Sequence, residues 1–359
     1  MKLASLRALL LIAVCMPSAA SSPPSPEIQH LIKAFSGTWS IVLKTDPNYQ
    51  LPKGGTGHGE VVWRPGPGGL SLIEEYYSTG DEGELSGLGV VWWDKGVQKY
   101  QVLWCDSSAP GCASLRGGAR WENAQLVASD DSEKAGKQAA LREVFSKTTR
   151  NSYTQTIYVG EAANALKRVL TIAATRKATS REMHTGLFKP KSDAAQTGSL
   201  QMPGPQVQNS MLGTWSMALN YESSPEFPKG ATGQATEVWW AGPGGYTMIE
   251  EYYQNDANEH IEEFSPAWWD AQAGGQRFLY CGNTLPGGCY IPEVVFRWEG
   301  DSLVLRQERE REGKKFIYSL VFRDITPTSF TQINQEADSG KPPKPTLTLH
   351  ATRIYIARQ

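Results

Sequence analysis

Along the chain, short runs rich in β-branched and aromatic residues alternate with clusters of Gly, Pro, Asn and Asp. Such runs occupy 38–44, 59–64, 69–78, 88–94, 99–105, 139–147, 152–159 and 166–176. Runs of this length and spacing predict strands. Their near-regular succession, without long helical stretches between them, predicts an all-β sandwich or up-and-down barrel rather than a doubly wound α/β sheet. One helix is expected over 27–35, after Pro26, with Ile28, Leu31, Ile32 and Phe35 on one face. A barrel end is its natural seat.

The pattern occurs twice. Gly37-Thr38-Trp39-Ser40 returns as Gly213-Thr214-Trp215-Ser216, and Gly66-Pro67-Gly68-Gly69 as Gly242-Pro243-Gly244-Gly245. Ile73-Glu74-Glu75-Tyr76-Tyr77 returns as Ile249-Glu250-Glu251-Tyr252-Tyr253, and Trp92-Trp93-Asp94 as Trp268-Trp269-Asp270, all at an offset of 176. Beyond the cysteines the offset becomes 177, taking Arg120-Trp121-Glu122 to Arg297-Trp298-Glu299. A period this long marks a duplicated domain, not a solenoid. Twelve tryptophans divide six and six between the copies, five at matching positions, and most must be core.

The expected organisation is a signal peptide over 1–20, a first barrel over 21–178, a Ser/Gly/Pro/Lys-rich linker over 179–206 and a second barrel over 207–359. Lys2 and Arg7 precede an apolar run over 8–16, then Pro17 and the small residues Ser18, Ala19 and Ala20, the order of a secretory signal. The run is far shorter than the ~20 residues of a transmembrane helix. An acylation site at Cys15 is disfavoured by Val14. The expected location is periplasmic or extracellular. With 35 basic and 37 acidic residues in 359, the chain has no broad basic field for nucleic acid.

Four cysteines follow the signal. Cys105 and Cys112 flank Pro110-Gly111, and Cys281 and Cys289 flank Pro286-Gly287. In an exported chain this predicts one disulfide per copy, each closing a loop worth roughly 2.5 kcal/mol in the chain-entropy model. No zinc-ligand or Cys-x-x-Cys spacing competes.

Gly37-Thr38-Trp39 at the first strand with Arg176 in the last, and Gly213-Thr214-Trp215 with Arg353, resemble the lipocalin-like (calycin) barrels. The resemblance implies two tandem antiparallel barrels of about 8–10 strands each, with the arginine lying across the tryptophan at the closure in a contact of about 0.5–2 kcal/mol. Gly68-Gly69, Ile73-Glu74-Glu75-Tyr76, Gly89-Val90-Val91-Trp92-Trp93-Asp94 and Trp104-Cys105-Asp106 are similar to a bacterial domain-of-unknown-function family of such barrels. That family implies no catalytic residues.

Adjacent Glu74 and Glu75 cannot serve one bond as a glycosidase pair, because consecutive strand side chains face opposite ways. Leu70, Leu72, Glu74 and Tyr76 share a face, as do Tyr246, Met248, Glu250 and Tyr252; Glu74 and Glu250 are expected inside, with pockets that differ in shape. Buried carboxylates need partners, and Arg120 and Arg297 are the candidates. Glu74, Tyr76, Arg120, Glu250, Tyr252 and Arg297 thus form the candidate ligand-binding set. The histidines do not repeat. His350 lies in the last strand, where haem-binding lipocalin-like barrels place an axial ligand, but no metal or cofactor is expected. Residues 308–315 read as a solvated hairpin. The leading expectation is a non-enzymatic binding protein for a small, largely apolar molecule; a self-filled structural module meeting a protein or glycan is the alternative.

Overall fold

The computed structural model describes residues 23–134, 137–162, 165–179, 199–224, 227–256, 259–311, 313–338 and 340–354. The expected signal segment with Cys15, most of the linker and His184 lie outside them. The first copy opens with helix α1 (Pro26–Phe35) and continues through β1 (Gly37–Thr45), β2 (Gly55–Pro65), β3 (Ser71–Gly80), β4 (Gly83–Asp94), β5 (Lys99–Asp106), β6 (Cys112–Ser114), β7 (Gly118–Glu122), β8 (Gln125–Lys134), β9 (Lys137–Ser146), β10 (Ser152–Gly160) and β11 (Lys167–Thr179). The second runs β12 (Gly213–Tyr221), β13 (Ala231–Ala241), β14 (Thr247–Asn255), β15 (His260–Asp270), β16 (Gly275–Phe278), β17 (Tyr280–Gly282), β18 (Cys289–Tyr290), β19 (Arg297–Glu299), β20 (Ser302–Arg311), β21 (Lys314–Arg323), β22 (Ser329–Asp338) and β23 (Lys344–Arg353).

Both sheets are antiparallel. In the first, β1 pairs with β2 and β11, and pairing of β4 with β5 closes a ten-stranded barrel, with β6 hanging off β5. In the second, β12 pairs with β13 and β23, and among the described residues the ring meets at a bridge between Gln276 and Phe296, whose two N–H···O bonds are 2.8 and 2.9 Å.

Each barrel is plugged at one end in the same way. Ser25 caps α1 by accepting the Ile28 N–H at 3.3 Å, and Ile28, Leu31 and Phe35 turn into the barrel. The Trp39 indole N–H donates to the Phe35 carbonyl at 2.7 Å. In the second copy a short 3-10 helix, Gln206–Met211, takes the place of α1, and Trp215 donates to the Met211 carbonyl at 2.7 Å. Arg176 lies 3.9 Å from the Trp39 ring and bonds the carbonyls of Ala34 and Ser36. Arg353 lies 4.2 Å from the Trp215 ring and bonds those of Ser210 and Leu212. The four closure residues thus tie plug, first strand and last strand together.

Residues 200–206, expected in the linker, belong to the second barrel. Leu200 and Met202 are buried in its core, and the Gln208 side chain donates to the Met202 carbonyl at 2.9 Å. Leu70, expected inside with Leu72, instead ends the Pro67–Gly69 turn and rests against Gly288 of the second copy.

The barrels share a core. Outward-facing Ile73, Leu88, Val90, Trp92 and Leu103 form one apolar cluster with Val238, Trp240, Ile249, Phe264 and Trp268. Strands apolar on both faces are buried on both. The two disulfides, Cys105–Cys112 and Cys281–Cys289, belong to this cluster, so each pins a turn of the interface. Arg64 crosses it, bonding Glu75 at 3.3 Å and Glu251.

Candidate functional site

Strand alternation divides the repeated Glu-Glu pair. Glu75 and Glu251 face outward to Arg64; Glu74 and Glu250 face the barrel interiors, in line with Leu72, Tyr76, Met248 and Tyr252. In the first barrel Glu74 is 7% exposed. Burial, then the charge of Glu143 across the barrel, pushes its carboxyl well above the ordinary range. Glu143 is itself raised by burial, although Gln155 donates to it. The rest of this interior is aromatic. Trp104 meets Tyr76 edge-on at 6.0 Å between ring centroids, and Trp63, Phe35 and Phe145 surround Tyr153. Two glycines of β4 make the room: a β-carbon at Gly87 would collide with the Trp104 ring, and one at Gly89 would lie 2.8 Å from a Glu74 oxygen.

Arg120 and Arg297 are not the partners of these glutamates. The Arg120 side chain is 62% exposed and pairs with Glu122 at 2.5 Å. Arg297 is exposed too, and donates to the Ala273 carbonyl at 2.9 Å. Both alternate with an inward tryptophan, Trp121 or Trp298, and so must point out. The expected buried ion pair is absent among the described residues, and the two arginines leave the candidate site.

The second interior is built differently on the same frame. Glu237, Tyr252 and Glu263 stand abreast on β13, β14 and β15, and Trp239, Glu250 and Ser265 form the next row toward the plug. The corresponding first-barrel rows read Val61, Tyr76, Gly87 and Trp63, Glu74, Gly89. Two carboxyls are therefore added beside the shared glutamate and tyrosine. Glu237 is 0% exposed, and its carboxyl lies within hydrogen-bonding reach of the Glu250 carboxyl and the Trp239 indole N–H. Burial, then the facing Glu237, holds Glu250 well above the usual range, and Glu237 is raised by burial as well. Burial pushes Glu263 up to about 7, against the opposing hydrogen bond from the Tyr280 hydroxyl.

Toward the open end, Tyr252 donates to Gln254 at 2.8 Å, Gln254 to Tyr221 at 3.0 Å and Tyr221 to Glu259 at 2.9 Å. Arg309, expected on a solvated hairpin, is half-buried with its guanidinium 3.7 Å from the Tyr318 ring. His350 is exposed on β23, facing away from the interior. No cluster of three or more His, Cys, Asp or Glu placed to hold a metal ion occurs among the described residues, and no helix there is long and apolar enough to cross a membrane.

Glu237 and Glu263 escaped the sequence reading because it followed positions the copies share. The signal lay in the positions where aligned strands differ, Val61 against Glu237 and Gly87 against Glu263.

No family model matches this chain, and no curated protein matches it. Solved structures similar to it include the S-type phycobiliprotein lyase CPES of Guillardia theta, 10% identical over 42% of this chain and 93% of that one with a TM-score of 0.31. A protein of unknown function from the DUF3598 family of Nostoc punctiforme is 9% identical over 92% of this chain and all of its own length, with a TM-score of 0.24. A de novo designed fluorescence-activating β-barrel is 12% identical over 40% of this chain and 94% of its own, with a TM-score of 0.23. At this distance none of them bears on ligand or chemistry.

Proposed function

We propose that this chain is an exported, non-enzymatic binding protein made of two lipocalin-like barrels, and that it holds a small molecule inside the second barrel. One observation carries the reading: a wall of polar side chains, Glu237, Tyr252 and Glu263 in one row and Glu250 in the next, faces the interior, with Glu237 fully buried. Burying polar groups whose hydrogen bonds are incomplete costs about 1–3 kcal/mol each, a cost that a guest with polar groups of its own would offset. Apolar side chains, among them Met217, Leu219 and Phe322, supply the surface for the body of a largely apolar guest. Export is supported by the order of residues over 1–20 together with two disulfides.

A second reading is favoured for the first barrel alone. Trp104 lies over Gly87 and fills space that the second barrel leaves to polar groups. On that reading the first barrel is the structural partner, and a protein or glycan would meet its outer surface.

Native mass spectrometry of protein purified from its own source tests occupancy. A retained small molecule, lost with Glu237→Gln but kept with Glu74→Gln, assigns the site to the second barrel. The reverse pattern assigns it to the first. Protein at the mass of its mature polypeptide alone, with no quenching of tryptophan by a panel of apolar molecules, refutes the binding reading.

A further inference from the structure

The two barrels meet through one and the same face. Ile73, Leu88 and Trp92 of the first barrel share an apolar cluster with Ile249, Phe264 and Trp268 of the second, their counterparts 176 residues on. The turns around the cluster are exchanged as well. A β-carbon at Gly68 would lie 2.9 Å from the Asn283 side chain, inside the loop closed by Cys281–Cys289. One at Gly244, the counterpart of Gly68, would lie 3.0 Å from Ser107, the counterpart of Asn283, inside the loop closed by Cys105–Cys112. Each Pro-Gly-Gly turn thus rests on the other barrel's disulfide loop. Contacts in which position i of one body meets position j of the other, and j meets i, belong to a two-fold, isologous interface, whose face is complementary to itself.

The charges break this symmetry on one side. Arg64 bonds Glu75 of its own barrel at 3.3 Å and, across the interface, Glu251, the counterpart of Glu75. Two first-barrel faces docked in the same way would set each Arg64 between its own Glu75 and the Glu75 of the other copy, an arginine for every glutamate. The second barrel has Trp240 where the first has Arg64. Two second-barrel faces would therefore bury both copies of Glu251 without that arginine, which is strongly unfavourable. Covalent linkage gives docking within one chain the advantage of a high effective concentration, so the first face is ordinarily covered by the second. We propose that the outer face of the first barrel is a self-docking surface whose partner in trans is the first barrel of a second copy of this chain, and that Trp240 bars the second face from the same pairing.

The test uses variants of the full chain with one outward residue changed. Ile249→Asp spoils the second face and releases the first, and Ile73→Asp does the reverse. Sedimentation equilibrium at micromolar concentration reads the mass, and circular dichroism reads whether the barrels are intact. Ile249→Asp should double its mass relative to the wild type, and Ile73→Asp should not. Adding Arg64→Glu to Ile249→Asp should return the mass to that of the wild type, which unspecific apolar association would not do. Val238→Asp, on a neighbouring strand of the second face, takes the place of Ile249→Asp if the latter does not fold. The proposal is overturned if the released first face leaves the mass unchanged, if Ile73→Asp doubles its mass to the same extent, or if the dimer survives Arg64→Glu. Loss of the wild-type circular dichroism in both second-face variants would show that the face cannot be separated from its barrel, and overturns it too.

Discussion

The two barrels carry the same closure and different interiors. Trp39 with Arg176 and Trp215 with Arg353 make matching contacts to matching plugs, so the frame has been held while the contents diverged. The divergence is concentrated where the tryptophans fail to match. Trp104 stands where the second copy has Tyr280, and Arg64 where it has Trp240. The first exchange is paired with another: Trp104 needs Gly87 beneath it, whereas Tyr280 needs Glu263 to receive its hydroxyl. The second exchange makes the interface asymmetric, with one arginine answering Glu75 and Glu251 together. A stacked aromatic fills space, and a tyrosine–glutamate pair leaves space with polarity in it. Duplication has thus let the two copies fill the same frame differently, one with stacked aromatics and the other with added carboxyls.

The interface gives the largest expected effect. Arg64 is half-buried, and Glu251 on the facing barrel is 5% exposed. Arg64→Ala should cost about 3–5 kcal/mol, because it leaves Glu251 buried without its cation. Since the shared apolar cluster joins the barrels, denaturant unfolding followed by far-UV circular dichroism and by tryptophan fluorescence should stay coincident in the wild type. Two separate transitions in the wild type would show that the barrels are independent and that the interface is incidental.

Next comes pH. A carboxyl raised by folding keeps its proton in the native state over a range where the unfolded chain has lost it, so stability falls as pH rises through that range. For Glu263 the window runs from its ordinary 4.5 to about 7, and the loss amounts to about 3 kcal/mol. Glu263→Gln should flatten that part of the curve, read as the denaturant midpoint between pH 4.5 and 7.5. An unaltered slope would mean that Glu263 is solvated and that the second interior is open water.

Much of this fold was legible in the strand pattern. The period-2 runs, the helix after Pro26, the local disulfides and the tryptophan–arginine closures all depend on residues near one another or on a repeat that marks them. Strand β8 was not, because its inward Leu126 and Ala128 give way to a polar stretch ending in Ser132-Glu133-Lys134. The interface was visible as strands apolar on both faces, Val90 and Trp92 alternating with Val91 and Trp93, yet no local rule says which other strands they meet. Glu74 and Glu250 were placed correctly inside by alternation. The same rule, applied to Arg120 beside Trp121, would have sent that arginine outward. Glu237 and Glu263 required comparing copies for their differences.

The paired exchange of Gly87 with Trp104 can be broken from one side. Gly87→Ala puts a methyl into the indole ring and should cost about 1–3 kcal/mol by overpacking. Trp104→Tyr, which imports the second barrel's residue, should return part of that loss, so the double variant should be more stable than the sum of the singles predicts. Strict additivity, measured by chemical denaturation, would mean that the two positions do not meet.

The smallest effect is the one that separates the interior carboxyls from any basic partner. Were Arg120 the counter-ion of Glu74, Arg120→Ala would strand a buried charge and cost several kcal/mol. In the structure Arg120 is solvent-exposed and bonds Glu122, beside which Arg142 also lies at 3.6 Å. An exposed pair of this kind is worth at most about 1 kcal/mol, and the neighbouring arginine replaces part of what is removed. Arg120→Ala should therefore shift stability by less than about 0.5 kcal/mol. Arg297→Ala on the second barrel should behave alike, since its bond is to a carbonyl at the surface. Neither change should alter the pH dependence assigned to Glu263. A drop of 2 kcal/mol or more in either variant would return the arginines to the interior and give the carboxyl walls of both barrels a structural explanation.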